Sequence, residues 1–239
     1  MEETDMLVSN GLMNILEEGS EEYQLIKNGF LRGMGFMGHV TNVMAIHKNN
    51  VSSSLARQAR FDSFMIFSKA VATKCGGDPN NVMRYAWYGS SLHNLKDIVS
   101  LGFQNDHYHH HDHHQSHGVG VTLFSSKFSI DSAMCTREDE SGLRHVMLCR
   151  VITGKMEAVA GGSKQSHPSS THYDTGVDDI SSPTRHIIWP AFINSHIHPD
   201  YIEGKIPREL WIRDVRSIVG DALLHQVISE SSSVNVQFP

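Results

Sequence analysis

The chain has 239 residues, 39% hydrophobic and 19% charged, enough for one domain of roughly 150–200 residues with a sizeable core plus tails. Its 20 basic residues against 26 acidic ones give a net charge of −6, which argues against a basic nucleic-acid binder. Three scattered cysteines, Cys75, Cys135 and Cys149, form no Cys-x-x-Cys pair, which excludes a disulfide framework and a zinc ribbon and fits a reducing compartment.

Residues 1–20 are acidic and weakly patterned and read as a tail, without the basic-then-apolar pattern of a signal peptide. Residues 21–31 put Tyr23, Ile26 and Phe30 on one side of a predicted helix. Residues 40–47 are rich in β-branched side chains and read as a strand ending at Lys48-Asn49-Asn50. The next helix is capped by Ser52, Ser53 or Ser54, carries Phe61, Phe64, Phe67 and Val71 three or four apart, and closes at Gly76-Gly77. Residues 83–88 form a short strand leading into Gly89. Residues 91–101 place Leu92, Leu95, Ile98 and Val99 at helical spacing and stop at Gly102.

After a polar loop come a strand at 119–124 and a short helix near 129–134. Residues 144–152 alternate Val146, Leu148 and Ile152 with Met147, Cys149 and Val151, so both faces are apolar and the strand is expected to be central. Residues 161–184 read as a long Gly/Ser/Pro-rich loop, and 186–189 and 199–202 as strands. Beyond Pro207, the residues Leu210, Ile212, Val215, Ile218, Val219 and Leu223 suggest a helix, and 231–239 a frayed end. No apolar run approaches ~20 residues, so no membrane-spanning segment is expected. The class is α+β, without regular βαβ alternation.

Gly33-Met34-Gly35-Phe36-Met37-Gly38 matches the Gly-x-Gly-x-x-Gly pattern literally. A dinucleotide fingerprint needs a strand before it and a helix after it, so that pyrophosphate meets the helix N-terminus. Here the order is reversed, and the stretch reads as a glycine-rich loop. The segment 107–117 holds seven of the 17 histidines. Its His109, His110, His111, His113 and His114, joined by Asp112, are a weak candidate cluster for zinc, nickel or copper. A defined site needs fixed geometry and outer support, so the segment is read as an insertion over a cleft and no metal is assigned. Cys135 and Cys149 read as core or cleft-wall thiols rather than nucleophiles.

Two stretches carry the chemistry: Trp87-Tyr88-Gly89-Ser90-Ser91 and Gly118-Val119-Gly120-Val121-Thr122-Leu123. A nicotinamide pocket needs backbone close to a carboxamide, which glycine permits, together with an aromatic face for stacking and a polar group on the ribose. A tight turn after a strand explains either stretch equally well when it is taken alone.

Read with their neighbours, the two stretches become specific. From Tyr85 to about Tyr201 the chain resembles the catalytic-like domain of the plant SRO family, relatives of the poly(ADP-ribose) polymerases. The matching residues are Ala86-Trp87-Tyr88-Gly89-Ser90-Ser91, Gly118–Leu123, Phe128-Ser129-Ile130-Asp131-Ser132 and Gly142–Lys155. Gly162–Ser170, Asp174–Asp179, His186-Ile187-Ile188-Trp189 and Asn194-Ser195-His196-Ile197 complete them. The segment from Tyr23 to Cys75 also resembles the family's lead-in.

The resemblance implies an ADP-ribosyltransferase fold: two small mixed sheets around an NAD cleft, flanked by helices and occupying residues 21–206. It also implies a nuclear plant protein, acting in stress and developmental responses by binding transcription factors or other regulatory proteins rather than nucleic acid directly. A WWE domain has no room before residue 20, and residues 207–239 show no convincing RST domain. The chain is therefore expected to be a short or truncated form.

Active polymerase-type enzymes use a His-Tyr-Glu set. The resemblance places Tyr88 at the histidine, Thr122 at the tyrosine that stacks on nicotinamide, and Arg185 near the glutamate. A second stacking aromatic falls near Cys135. Gly89, Ser90 and Ser132 are left to offer hydrogen bonds to a carboxamide if NAD binding is retained. Two lost aromatic contacts at ~0.5–1.5 kcal/mol each weaken nicotinamide binding by several-fold to over a hundredfold. Lost transition-state electrostatics cost more, about 2.7–4 kcal/mol per group. The sequence thus favours an inactive transferase-like interaction protein, with a mono-ADP-ribosyltransferase using NAD through substitute residues as the alternative.

Overall fold

Three serines set where the main helices begin. Ser20, Ser54 and Ser91 each hold extended backbone and accept a backbone N–H three residues on, from Tyr23, Arg57 and Asn94. Each satisfies one of the donors that a helix start leaves open. The helices are α1 (Glu21–Gly33), α2 (Leu55–Lys74) and α3 (Leu92–Leu101), with the shorter α4 (Ser129–Met134) and α5 (Ile193–His196). Glycines close two of them: Gly77 donates to Ala72 O at 2.7 Å after α2, and Gly102, at φ +88°, donates to Ile98 O at 2.8 Å after α3. The sequence predicts α1 to α4 to within about two residues; α5 has no counterpart in it. The computed structural model describes residues 8–104 and 117–199.

Nine strands are described: β1 (Met13–Ile15), β2 (His47–Asn49), β3 (Met83–Gly89), β4 (Val121–Ser125), β5 (Val146–Ile152), β6 (Met156–Ala158), β7 (Thr175–Val177), β8 (Arg185–Ile188) and β9 (Ile197–Pro199). β1 and β2 form a two-stranded ladder, and the rest a seven-stranded sheet ordered β6-β7-β8-β4-β3-β5-β9. Every pairing is antiparallel except β6 with β7. The large sheet is pinched. β3 pairs with β5 over all of Met83–Gly89, but β3 meets β4 only at Ala86↔Ser125 and Trp87↔Phe124. The expected pair of small sheets therefore exists as two halves of one ladder, joined at this narrow seam.

Side-chain parity sorts the core. Ala86, Tyr88, Val121, Leu123, Met147, Cys149 and Val151 pack with Leu95, Ile98 and Val99 of α3. Tyr85, Trp87 and Leu148 face the other way, onto Tyr23, Leu25 and Ile26 of α1. α2 brings Phe64, Val71 and Ala72 onto Val82, Met83 and Ile152. β5 is interior and buried, as its two apolar faces require, yet stands one strand from the edge rather than at the centre.

The differences from the sequence reading are all short elements. Residues 13–15, read as tail, form β1, and Met13 is buried. Of the strand expected at 40–47 only His47 is in β2, which runs on through Lys48-Asn49 where β1 offers an edge; Val40 and Met44 are exposed. β7 forms inside the stretch read as loop, and β9 reaches Pro199 from the N-terminal side of the strand expected at 199–202. The helix expected after Pro207 lies outside the described residues.

Asp174 ties the α2 end of the molecule to the β5–β6 turn. Its buried carboxylate accepts from Lys74 Nζ at 2.8 Å and from Lys155 N–H at 2.9 Å. Gly154 makes room for it: at φ +50°, an added Cβ there would lie 2.3 Å from Asp174 Oδ2. Asp174→Ala removes two charge-assisted bonds from a buried position, and urea unfolding is expected to show a loss of about 2 kcal/mol.

Candidate functional site

The site forms where the sheet comes apart. Continuing the β3–β4 register beyond Trp87↔Phe124 would set Gly89 against Thr122, but the ladder stops short of that pair. α4 packs over both strands at this point. A Cβ on Gly89 would lie 1.9 Å from the Ser132 carbonyl oxygen, so the glycine admits the backbone of α4. Beside it, Ser132 Oγ is fully buried and has no hydrogen-bond partner among the described residues. Ser90 Oγ accepts from Asn94 Nδ2 at 3.0 Å and braces the start of α3.

Thr122, Phe124, Ile187 and Arg185 share one face of the β4–β8 ladder, through the pairs Thr122↔Ile187 and Phe124↔Arg185. The Arg185 guanidinium sits over the Phe124 ring, with Cζ 5.5 Å from the centroid. Its Nε lies 3.9 Å from Asp178 Oδ2, while its backbone N–H donates to Asp178 Oδ1 at 3.2 Å. Thr184 donates to the same carboxylate through its backbone N–H at 3.0 Å and through its hydroxyl. Burial pushes the Asp178 carboxyl up, but hydrogen bonds from Thr184, Arg185 and Asp179 outweigh it and hold the group below the usual carboxylate range. An ionised Asp178 therefore anchors Arg185 at neutral pH.

Cys135, at the C-cap of α4, is half-buried. Burial and Asp131 push its thiol up while Arg185 pulls it back, so the thiol stays protonated near neutrality and is a poor nucleophile. Cys149 is fully buried in the core.

Tyr88 is not in this group. Odd and even positions of β3 face opposite ways, and Tyr88 turns into the α3 side of the core. It is 2% exposed and meets Phe103 edge-on, with centroids 5.1 Å apart. The structure brings together Gly89, Ser132, Thr122, Cys135 and Arg185, and places Tyr88 behind the sheet. Sequence reasoning missed Phe124 and Asp178. Phe124 follows from parity, two residues after Thr122; no spacing in the sequence announces the clamp made by Asp178. The candidate metal residues His109, His110, His111, His113 and His114 lie outside the described residues. Among the described residues no three His, Cys, Asp or Glu side chains come together as they would to hold a metal ion.

These residues can be tested against NAD. The unpartnered Ser132 Oγ suits a carboxamide, but neither Thr122 nor Cys135 supplies a stacking ring, and Arg185 adds a cation close to Cys135. The notch keeps one element of a nicotinamide cradle and lacks the others, so it does not fit NAD as a reacting cofactor.

Comparison with known proteins follows the same lines. The profile of the poly(ADP-ribose) polymerase catalytic domain matches residues 20–190, and that of the RCD1-SRO-TAF4 (RST) plant domain matches residues 192–233. The second match corrects the reading of 207–239 as a helix and tail without an RST domain: the matched segment starts at 192, ahead of the amphipathic spacing that drew attention to Leu210 onwards. The chain is similar to probable inactive poly [ADP-ribose] polymerase SRO2 of Arabidopsis thaliana, with 43% identity over 195 residues, covering 81% of this chain and 60% of that protein. It is 34% identical over 197 residues to probable inactive poly [ADP-ribose] polymerase SRO5 of the same plant, covering 80% of this chain and 60% of the relative. The chain thus spans about 60% of the length of these curated relatives. Among solved structures, the PARP domain of Arabidopsis RADICAL-INDUCED CELL DEATH1 superposes with a TM-score of 0.62 at 30% identity, over 74% of this chain and 93% of that one.

Proposed function

Because the chain belongs to the plant SRO family of poly(ADP-ribose) polymerase-like proteins, we propose that it transfers no ADP-ribose and serves as a nuclear interaction protein in stress response and development. The observation that carries this reading is Arg185, fixed by Asp178 and stacked on Phe124. Glycosidic cleavage of NAD builds positive charge on the ribose. A second unit charge at ~4 Å opposes it by roughly 4 kcal/mol at an effective dielectric of 20. The absent stabilising group costs about 2.7–4 kcal/mol more. Together these slow the step by about 10⁵-fold.

The RST match at residues 192–233 supports regulatory proteins, transcription factors among them, as partners. The net charge of −6 supports protein rather than nucleic-acid binding. Among the described residues no helix is long and apolar enough to cross a membrane.

A second reading, a mono-ADP-ribosyltransferase working through substitute residues, draws on the buried, unpartnered Ser132 Oγ. One experiment separates the two. The purified chain is incubated with labelled NAD, and its thermal unfolding is followed at millimolar NAD. No label transfer and no shift are expected. Transfer that is lost in Ser132→Ala, with folding intact, would replace the first reading with the second.

A further inference from the structure

A second concavity lies away from the notch, where α2, the end of α3, β2 and β9 meet. Its volume is about 30 Å³, room for about two water-sized atoms at ~10–15 Å³ each. Among the described residues Arg57, Arg60, His198, Asn49 and Asn194 form its polar wall, and none of them is a carboxylate. The described walls are therefore cationic and rich in donors.

The two arginines have a structural role, but it does not account for their charge. Arg57 is buried and spends four donors on neutral acceptors: Leu12 O at 2.9 Å, Asn50 O at 3.2 Å, Val99 O and Asn49 Oδ1. Arg60 Nη2 donates to Ser100 O at 3.0 Å, its one hydrogen bond among the described residues. Val99 and Ser100 belong to the last turn of α3, whose dipole end carries roughly half an elementary negative charge. Two guanidinium charges exceed that, and neither arginine makes an ion pair with a described residue. Two described acids on α2 and α3 are engaged elsewhere: exposed Asp62 with Gln58, and Asp97 with His93.

His198 supplies the independent observation. It is 5% exposed, its ring is held against Phe61 at 5.0 Å and Phe64 at 5.7 Å, and its buried Nε2 has no hydrogen-bond partner among the described residues. Burial, reinforced by Arg150, Arg57 and Arg60, lowers the imidazole to about 3, so the ring is neutral at physiological pH. In the Nε2–H tautomer this buried nitrogen is a donor in want of an acceptor, and among the described residues of this wall no side chain is an anion.

We infer that this concavity seats two oxygens of a single oxyanion head group, a carboxylate or a phosphoryl whose remaining atoms stay outside it, with Arg60 as its charge partner and Arg57, Asn194 and His198 Nε2 completing the cradle. The geometry suits charge-assisted, forked recognition by guanidinium groups. The site is independent of the transferase-like notch and of whether NAD binds there.

The test uses the full chain and two probes, inorganic phosphate and acetate, each against sodium chloride at equal ionic strength. A saturable rise in Tm of a few degrees is expected with at least one probe, together with movement of the His198 ring resonances. Response to phosphate alone identifies a phosphoryl ligand, to acetate alone a carboxylate, and to both a general oxyanion site. Arg60→Gln is expected to weaken the response at least tenfold. An equal response to chloride, or an undiminished one in Arg60→Gln, overturns the assignment. So do His198 resonances of the unsubstituted chain that stay still with both probes, whatever the variant does.

Discussion

Lowering the pH from 7 to 5 is expected to remove about 6 kcal/mol of folding stability, roughly 2 kcal/mol for each of three buried imidazoles. His186, His196 and His198 are 5%, 4% and 5% exposed. Burial is the main cause that holds them down in the fold, to about 4, about 4 and about 3. Arg84 adds to the effect at His186 and Lys74 at His196, where Asp178 and Asp174 respectively oppose it. Unfolded, each returns to ~6.5.

A folded value below the unfolded one means that the open chain takes up the proton first. The stability is whole above about pH 6.5 and is lost as the pH falls toward the folded values of the three rings. Asp178 works in the same sense at lower pH: its carboxyl is held down, so its contribution lasts until the pH drops below the ordinary carboxylate value of ~3.9. The interval between about pH 6.5 and 4 therefore belongs to the histidines. Urea unfolding at several pH values should show a slope near pH 5 of roughly 4 kcal/mol per unit, equivalent to about three protons. A flat profile between pH 7 and 5 would refute this. His196→Gln should take about one proton out of the slope.

The parts of this fold that can be read from the chain are those with a strong local cause. Ser54 and Ser91 stand where a helix needs a side-chain acceptor, and Gly77 and Gly102 where it must turn, so α2 and α3 are legible to within a residue or two. β3 and β5 are long enough for their apolar character to speak. β1, β6 and β7 have three residues each, too few to carry a period, and their existence depends on an edge supplied from elsewhere. Gly176 shows how composition misleads. It looks like loop sequence, yet an added Cβ would meet Val159 Cγ2 at 2.8 Å and Trp189 Cζ2 at 2.9 Å, so it is a packing glycine within a strand.

The candidate site divides in the same way. Thr122 and Arg185 share a face because Thr122 pairs with Ile187, two residues from Arg185 on β8, and both positions stand out in the sequence. Tyr88 could not share the face of Gly89, since neighbours on a strand point apart. Alignment with a family motif assigns it a role, whereas the strand assigns it to the core. The Asp178 clamp on Arg185 depends on how the 178–185 turn folds back, which no local pattern encodes.

Replacing Gly89 with alanine is expected to cost about 3 kcal/mol, at the upper end of overpacking effects, and to lower Tm by roughly 6–12 °C. The new Cβ would meet the Ser132 carbonyl oxygen at 1.9 Å and its carbon at 2.8 Å, and backbone cannot rotate aside as a side chain can. α4 has little room to retreat, because α1 holds its other side: Ser129 Oγ donates to Phe30 O at 2.6 Å, and Gly33 leaves no space for a Cβ against Ser129. Gly35→Ala is the control. That residue has φ +56° and open space around it, so only the left-handed backbone is penalised, by about 1 kcal/mol. The comparison reaches beyond stability. In the transferases that this domain resembles, the glycine at the end of this strand permits a close approach to nicotinamide; in this chain α4 already occupies the space beside Gly89. A Gly89→Ala protein with the cost predicted shows that packing alone suffices to retain the motif. A variant as stable as its parent would mean that α4 yields easily, and that the notch can open to a ligand after all.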